Sequence, residues 1–114
     1  MVVTADQARK MALSLPEASE SSHFDQPDFR VRKKIFATLH AGRHEAVVKL
    51  QPEEQQMLVE SEPKVFAPVV GGWGLKGWTV VRLKAASAKT LREAMTRGWR
   101  NVAPKALVKK MDGA

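Results

Sequence analysis

The sequence predicts an α+β fold: an antiparallel sheet of about five strands with helices packed on one face. Two observations lead there. Apolar residues at helical spacing mark both ends of the chain, and short alternating segments bounded by turn residues fill its middle. The resulting order of helix, strands, helix, strand and C-terminal helices is that of an antiparallel meander with helices laid against it. At 114 residues and 44% hydrophobic content, residues 1–114 read as a single domain. A chain of that size buries a core without metal or disulfide support.

Thr4 opens the first helix, because Thr4 and Gln7 form a capping-box pair in which each side chain satisfies the other's free backbone N–H. Ala8, Met11, Ala12 and Leu15 follow at helical spacing, and Pro16 ends the run. Residues 18–24 are polar and suit an edge strand. Pro27-Asp28 is a turn signal. Residues 29–32 then alternate, with Phe29 and Val31 on one face and Arg30 and Arg32 on the other. Two more strands follow at 35–40 and 46–50, joined by a hairpin loop around Gly42. Pro52 suits the first position of a helix over 52–60, Glu53 and Glu54 complement its positive end, and Met57 and Leu58 supply its apolar contact. Residues 64–70 are extended, and 71–74 form a flexible glycine loop around Trp73. The clearest strand is 78–84: Trp78, Val80, Arg82 and Lys84 share one face, Thr79, Val81 and Leu83 the other. Ser87 caps the last helical region, where Leu91, Ala94, Met95, Trp99 and Val102 form a stripe. Pro104 breaks it, and 105–111 resume helix with Leu107, Val108 and Met111 inward.

Charge is distributed unevenly. The net charge is +7, yet residues 51–63 carry acids alone and 1–28 are mainly acidic in balance. The surplus of cations lies in 29–50, 64–84 and 85–114, and so do Trp73, Trp78 and Trp99. Clustered cations beside flat aromatics suit a polyanion with stackable faces, which points first to nucleic acid. The alternative is a solvated basic surface over buried tryptophans. Cysteine is absent, which excludes disulfides and thiolate metal sites and fits a reducing cytoplasm. No secretory signal and no membrane-spanning apolar run are visible.

No catalytic constellation emerges. His40 and His44 flank a hairpin loop with Glu45 beside them, a poor zinc set. Ser21, Ser22, His23 and Asp25 have the residue types of a hydrolase triad, but crowded into one segment. Residues 71–74 resemble a phosphate loop only in glycine content. Neither a cofactor nor a metal is expected. Arg30 and Arg32 at i and i+2, continued by Lys33 and Lys34, can match phosphate spacing, and Trp78 with Arg82 and Lys84 combines stacking with charge. Trp78 suits the core equally well, whereas Trp99 falls on a helix stripe and belongs inside. Arg92, Arg97, Arg100, Lys105, Lys109 and Lys110 make a second basic surface.

Three segments in order resemble the MmcQ/YjbR-like proteins: 27–39 (PDFRVRKKIFATL) their first hairpin, 71–79 (GGWGLKGWT) their loop and following strand, and 99–105 (WRNVAPK) their C-terminal helix. The resemblance runs from about Ala5 to Lys110. It implies an antiparallel sheet flanked by helices, in a bacterial cytoplasmic protein that binds DNA through paired hairpin wings and has no established catalytic site. By position, the first wing is 29–39 with its turn at Lys33-Lys34, and the second element includes Lys76 and Trp78. The family often has glycine at the first turn. Lysine there disfavours a two-residue primed turn and points to a longer or bulged wing.

The sequence therefore predicts a small non-enzymatic DNA-binding protein, DNA ahead of RNA, acting as a monomer or weak dimer. Arg30, Arg32, Lys33 and Lys34 contact phosphates, and Lys76, Arg82 and Lys84 extend the surface around Trp78. Two alternatives stand beside it. One is a protein-interaction module gripping an apolar segment with a sheet lined by Trp78, Phe36 and Trp73. The other is a small-ligand pocket near Trp73, His23 and Arg82.

Overall fold

Local chemistry sets the first element of the computed structural model, which describes residues 3–113. The capping box at Thr4 forms in both directions, and helix α1 runs Ala5–Leu13 with Ala8, Met11 and Ala12 buried. The helix stops before Leu15, at the Ser14 cap. Strands β1 (Ala18–His23), β2 (Gln26–Val31), β3 (Lys34–His40) and β4 (Glu45–Lys49) then form consecutive antiparallel pairs. Helix α2 (Pro52–Ser61) begins on proline as expected, and Glu54 closes a capping box with Gln51. Its residue Met57 is exposed, so Leu58 and Val59 make the apolar contact instead.

The extended segment after α2 supplies a short strand, β5 (Phe66–Pro68). The glycine loop closes into one helical turn, α3 (Gly72–Leu75), and β6 (Trp78–Arg82) inserts between β4 and β5. The result is a six-stranded sheet in the order β1-β2-β3-β4-β6-β5. Lys84 lies in the turn after β6, not on the strand. Helix α4 (Ala88–Val102) is capped by Ser87 and buries Leu91, Ala94, Met95 and Trp99, and α5 (Lys105–Met111) adds Leu107.

Helix α4 crosses the middle of the sheet over β3 and β4, with α1 alongside. The approach is close at Gly98, where a Cβ would lie 2.5 Å from Val48 Cγ1 and 3.1 Å from the Phe36 carbonyl oxygen. Trp99 is fully buried, and its indole N–H donates to the Pro16 carbonyl at 2.9 Å. The sheet face under the helices is apolar: Phe29, Val31, Leu39, Ala46, Val48 and Val81 are all buried.

Two turn readings are corrected. Pro27 and Asp28 lie inside β2. The chain reverses three residues earlier, at Phe24 (φ 49°) and Asp25 (φ 61°). The next hairpin turns at Arg32 (φ 50°) and Lys33 (φ 71°), with Lys34 already in β3. Both central residues have positive φ, as a two-residue primed turn requires, so the turn forms without glycine. The irregularity falls in the strands instead. Phe29 pairs with Ala37 but Arg30 pairs with Ile35, which leaves Phe36 as the extra residue of a bulge. The bulge lets Phe36 and its neighbour Ala37 both be buried, and it returns Ile35 and Thr38 to the same outer face.

Candidate binding site on the open sheet face

The other face of the sheet has no long helix over it. Cross-strand register gathers Asp28, Arg30, Ile35, Thr38, His40, Val47 and Trp78 there. His23 reaches it from β1, and the α3 turn folds Trp73 over its far side. Together these side chains line a cavity of about 260 Å³, floored by Ile35, Val47 and Val69 and bordered by His23, Thr38, His40, Trp73 and Trp78.

The aromatic wall is a pair. Trp73 stands edge-on to Trp78, with ring centroids 6.1 Å apart and planes at 76°. A lysine sits over each ring: Lys49 Nζ lies 5.4 Å from the Trp78 centroid, and Lys76 Nζ lies 5.3 Å from that of Trp73. Cation–π attraction holds these ammonium groups without a carboxylate partner. Lys49 also donates to the Lys76 carbonyl at 3.0 Å, which ties the two rims together.

The polar wall centres on Asp28, whose side chain is fully buried. Arg30 grips it through Nε at 2.7 Å and Nη2 at 3.1 Å, and His23 Nδ1 lies 2.8 Å from Oδ2. The Arg30 hydrogen bonds hold the Asp28 carboxyl below the usual carboxylate range, outweighing burial, and His23 adds to the effect. An ionised Asp28 can only accept, so His23 donates to it through Nδ1–H, which leaves Nε2 as the accepting nitrogen of the neutral ring. His40 Nε2 lies 3.1 Å from the Thr38 hydroxyl. Burial, and then Arg43, push the His40 imidazole below its usual range, so it is neutral near pH 7.

The predicted contact residues divide. Arg30, Lys76 and Trp78 border the open face, and Arg32, Lys33 and Lys34 cap the hairpin at the same end of the sheet. Arg32 belongs to the turn, not to a stripe with Arg30, and it chelates Glu17 at 2.5 and 3.0 Å. That contact lowers the Glu17 carboxyl and raises the Arg32 guanidinium. Lys33 and Lys34 have no carboxylate partner among the described residues. Arg82 and Lys84 lie at the opposite end of β6, about 13 Å from Trp78 along the strand. There Arg82 donates to the carbonyls of Pro63 and Lys64 at 3.2 and 3.3 Å. Arg82 is therefore not part of the cavity. Phe36 is fully buried on the opposite face and cannot line an open groove. On the helical side, Arg97 pairs with Glu54 at 3.1 Å and Arg100 with Asp112 at 2.5 Å, so the second basic surface is partly neutralised.

Sequence reasoning missed Lys49 and the His23–Asp28 pair. Alternation puts Lys49 outward, but only its pairing with Trp78 reveals the contact. Asp28 was hidden by reading Pro27-Asp28 as a turn, although a hairpin turning at 24–25 would have placed Asp28 opposite Ser21, next to His23. Among the described residues no group of three or more His, Asp or Glu could hold a metal, and no helix is long and apolar enough to cross a membrane.

A family model described as YjbR matches residues 13–101. A crystal structure of Deinococcus radiodurans protein DR2400, with the family-model domain DUF419, is similar at a TM-score of 0.77 and 24% identity, over 96% of this chain and 88% of that one. At that identity the likeness concerns the fold. No curated protein matches the chain.

Proposed function

The chain belongs to the YjbR family, and from that footing we propose that it is a small non-enzymatic DNA-binding protein of the bacterial cytoplasm. The contact runs from the β2–β3 turn onto the open sheet face. The observation that carries this reading is the Trp73–Trp78 pair with Lys49 and Lys76 over its rings, beside a hairpin tip carrying Lys33 and Lys34. Stacking surfaces edged by cations suit a nucleic-acid strand whose bases are accessible.

Ion pairing decides which cations do the work. Arg30 is committed to a buried carboxylate, so its role is to hold the polar wall. Arg32 is exposed, and its pair with Glu17 is of the kind that exchanges readily for a phosphate. Lys33, Lys34, Lys49 and Lys76 supply the mobile charge, and Arg82 and Lys84 extend it only along a strand that spans the full sheet. Binding is then mainly electrostatic and weakens steeply with salt.

Fluorescence anisotropy with a labelled mixed-sequence duplex and the matching single strand, from about 50 to 300 mM salt, tests the reading. The double variant Lys33→Glu/Lys34→Glu should weaken binding and flatten the salt dependence. Unchanged affinity in that variant across the range, or no binding of either probe at the lowest salt, would remove nucleic acid as the function.

A further inference from the structure

We propose that the open-face cavity holds one unpaired nucleobase, with its ring against the tryptophan pair and its edge against His23, Thr38 and His40. The proposal rests on the nucleic-acid reading above and specifies what that surface recognises. A cavity of about 260 Å³ is smaller than the roughly 300–1,000 Å³ typical of pockets for drug-sized ligands. It suits one planar ring system and is too small for a length of peptide.

Its walls are divided as a base requires. Ile35, Val47 and Val69 give an apolar floor for the ring. The Thr38 hydroxyl can donate or accept, and neutral His40 shares a hydrogen bond with it. His23 is fixed by buried Asp28 through Nδ1, which leaves Nε2 for a donor on the base edge. The buried ion pair thus orients a hydrogen-bonding group at the cavity border.

Charge complementarity selects the occupant further. A base arrives with a phosphate, and Lys49 and Lys76 sit over the two indole rings. Moving Lys49 onto that phosphate gives up its cation–π contact with Trp78 and its hydrogen bond to the Lys76 carbonyl in exchange for an ion pair, and the uncovered ring face is then open to the base. One movement exposes the stacking surface and neutralises the ligand. Trp73, 62% exposed on its helical turn, can adjust around the ring.

The test compares a short mixed-sequence single strand with an abasic strand of the same length, which keeps every phosphate, at one low salt concentration. A nucleoside monophosphate forms the third arm. Anisotropy reports binding, and quenching of tryptophan emission reports occupancy of the cavity. Trp99 is buried away from the site, so quenching lost in Trp78→Phe belongs to the open face. The intact strand should bind roughly 10-fold more tightly than the abasic one and quench emission. Val47→Phe, which fills the cavity from its floor, should erase that preference while leaving the salt dependence unchanged. Thr38→Val, nearly isosteric, should alter the ranking among the bases and guards against misfolding of the bulkier variant.

Equal binding of intact and abasic strands, or a preference that survives Val47→Phe, overturns the base pocket while DNA binding stands. Quenching by the monophosphate that Val47→Phe abolishes, with no strand bound, upholds the pocket as a nucleotide site and removes the nucleic-acid reading alone. No response to any arm overturns both.

Discussion

The two faces of this sheet are built by different rules. Under α1 and α4 the side chains are apolar and enclosed, and β2, β3, β4 and β6 contribute them by alternation apart from the bulge at Phe36. On the open face, side chains brought together from β1, β2, β3, β4, β6 and the α3 turn leave a cavity instead of filling one. The first face needs only hydrophobic residues of suitable volume in the right period. The second needs named partners, such as Arg30 for Asp28 and Lys49 for Trp78, and each depends on strand pairing between distant parts of the chain. Stability resides mainly on one face, and the proposed recognition on the other.

Breaking the covered face should cost most. Trp99→Ala removes a fully buried indole and leaves the Pro16 carbonyl without its donor. A loss of about 3–5 kcal/mol is expected in urea or guanidinium unfolding. A loss under 1 kcal/mol would mean that α4 is not the keystone of that layer.

Asp28 is the exception on the open face, because it is buried there. Asp28→Ala should cost about 2 kcal/mol: Arg30 and His23 lose a charged partner, but both retain access to water. The sign of the pH effect follows from the lowered carboxyl. The stabilisation is fully present above the ordinary value of 3.8 and is lost as pH falls through the folded-state value. Wild-type stability should therefore fall more steeply below about pH 4 than that of Asp28→Ala.

His40 sharpens the comparison at milder pH. Its imidazole is depressed from 6.5, so the unfolded chain takes up the proton first. Its contribution is intact above pH 6.5 and declines as pH drops through the lower folded-state value. Denaturation midpoints between pH 7 and 5 should fall in wild type and stay flatter in His40→Gln. An identical slope in both proteins would show that His40 is solvated.

The smallest effects on stability are expected at the proposed contact residues. Trp78→Ala should lower stability by about 1 kcal/mol, because the ring is only half-buried. Lys33→Glu/Lys34→Glu should leave the melting temperature unchanged. If either variant unfolds the protein, the division of labour between the two faces is wrong.

Most of the architecture was legible in the sequence because local signals agreed with the tertiary outcome. Thr4, Pro52 and Ser87 start helices where their chemistry says they should. Trp99 could be assigned to the core from its place on the α4 stripe. What failed were positions where tertiary pairing overrides local preference. Lys33 and Arg32 occupy positive φ that glycine would take more easily, so the tight turn was invisible. Alternation also breaks at Phe36 and Ala37, where a bulge buries two successive residues. The site was legible only in part. Arg30, Lys76 and Trp78 could be picked by charge and aromaticity, but nothing local distinguishes a free arginine from one held by a buried carboxylate. Register alone brings Thr38, Val47 and Trp78 around one cavity.

The strand order leaves β1 and β5 at the margins of the sheet, with backbone groups facing outward. Neither margin invites another strand. β5 is three residues long and ends on Pro68, which has no N–H to donate. β1 reads ASESSH, with a carboxylate at Glu20 and an imidazole at its His23 tip, and offers an incoming chain almost no apolar side chain to pair with. An exposed aromatic slot would ordinarily be an aggregation hazard in a crowded solution. Here the sheet that carries it cannot readily grow from either edge, so a sticky surface is carried on a scaffold that resists polymerising.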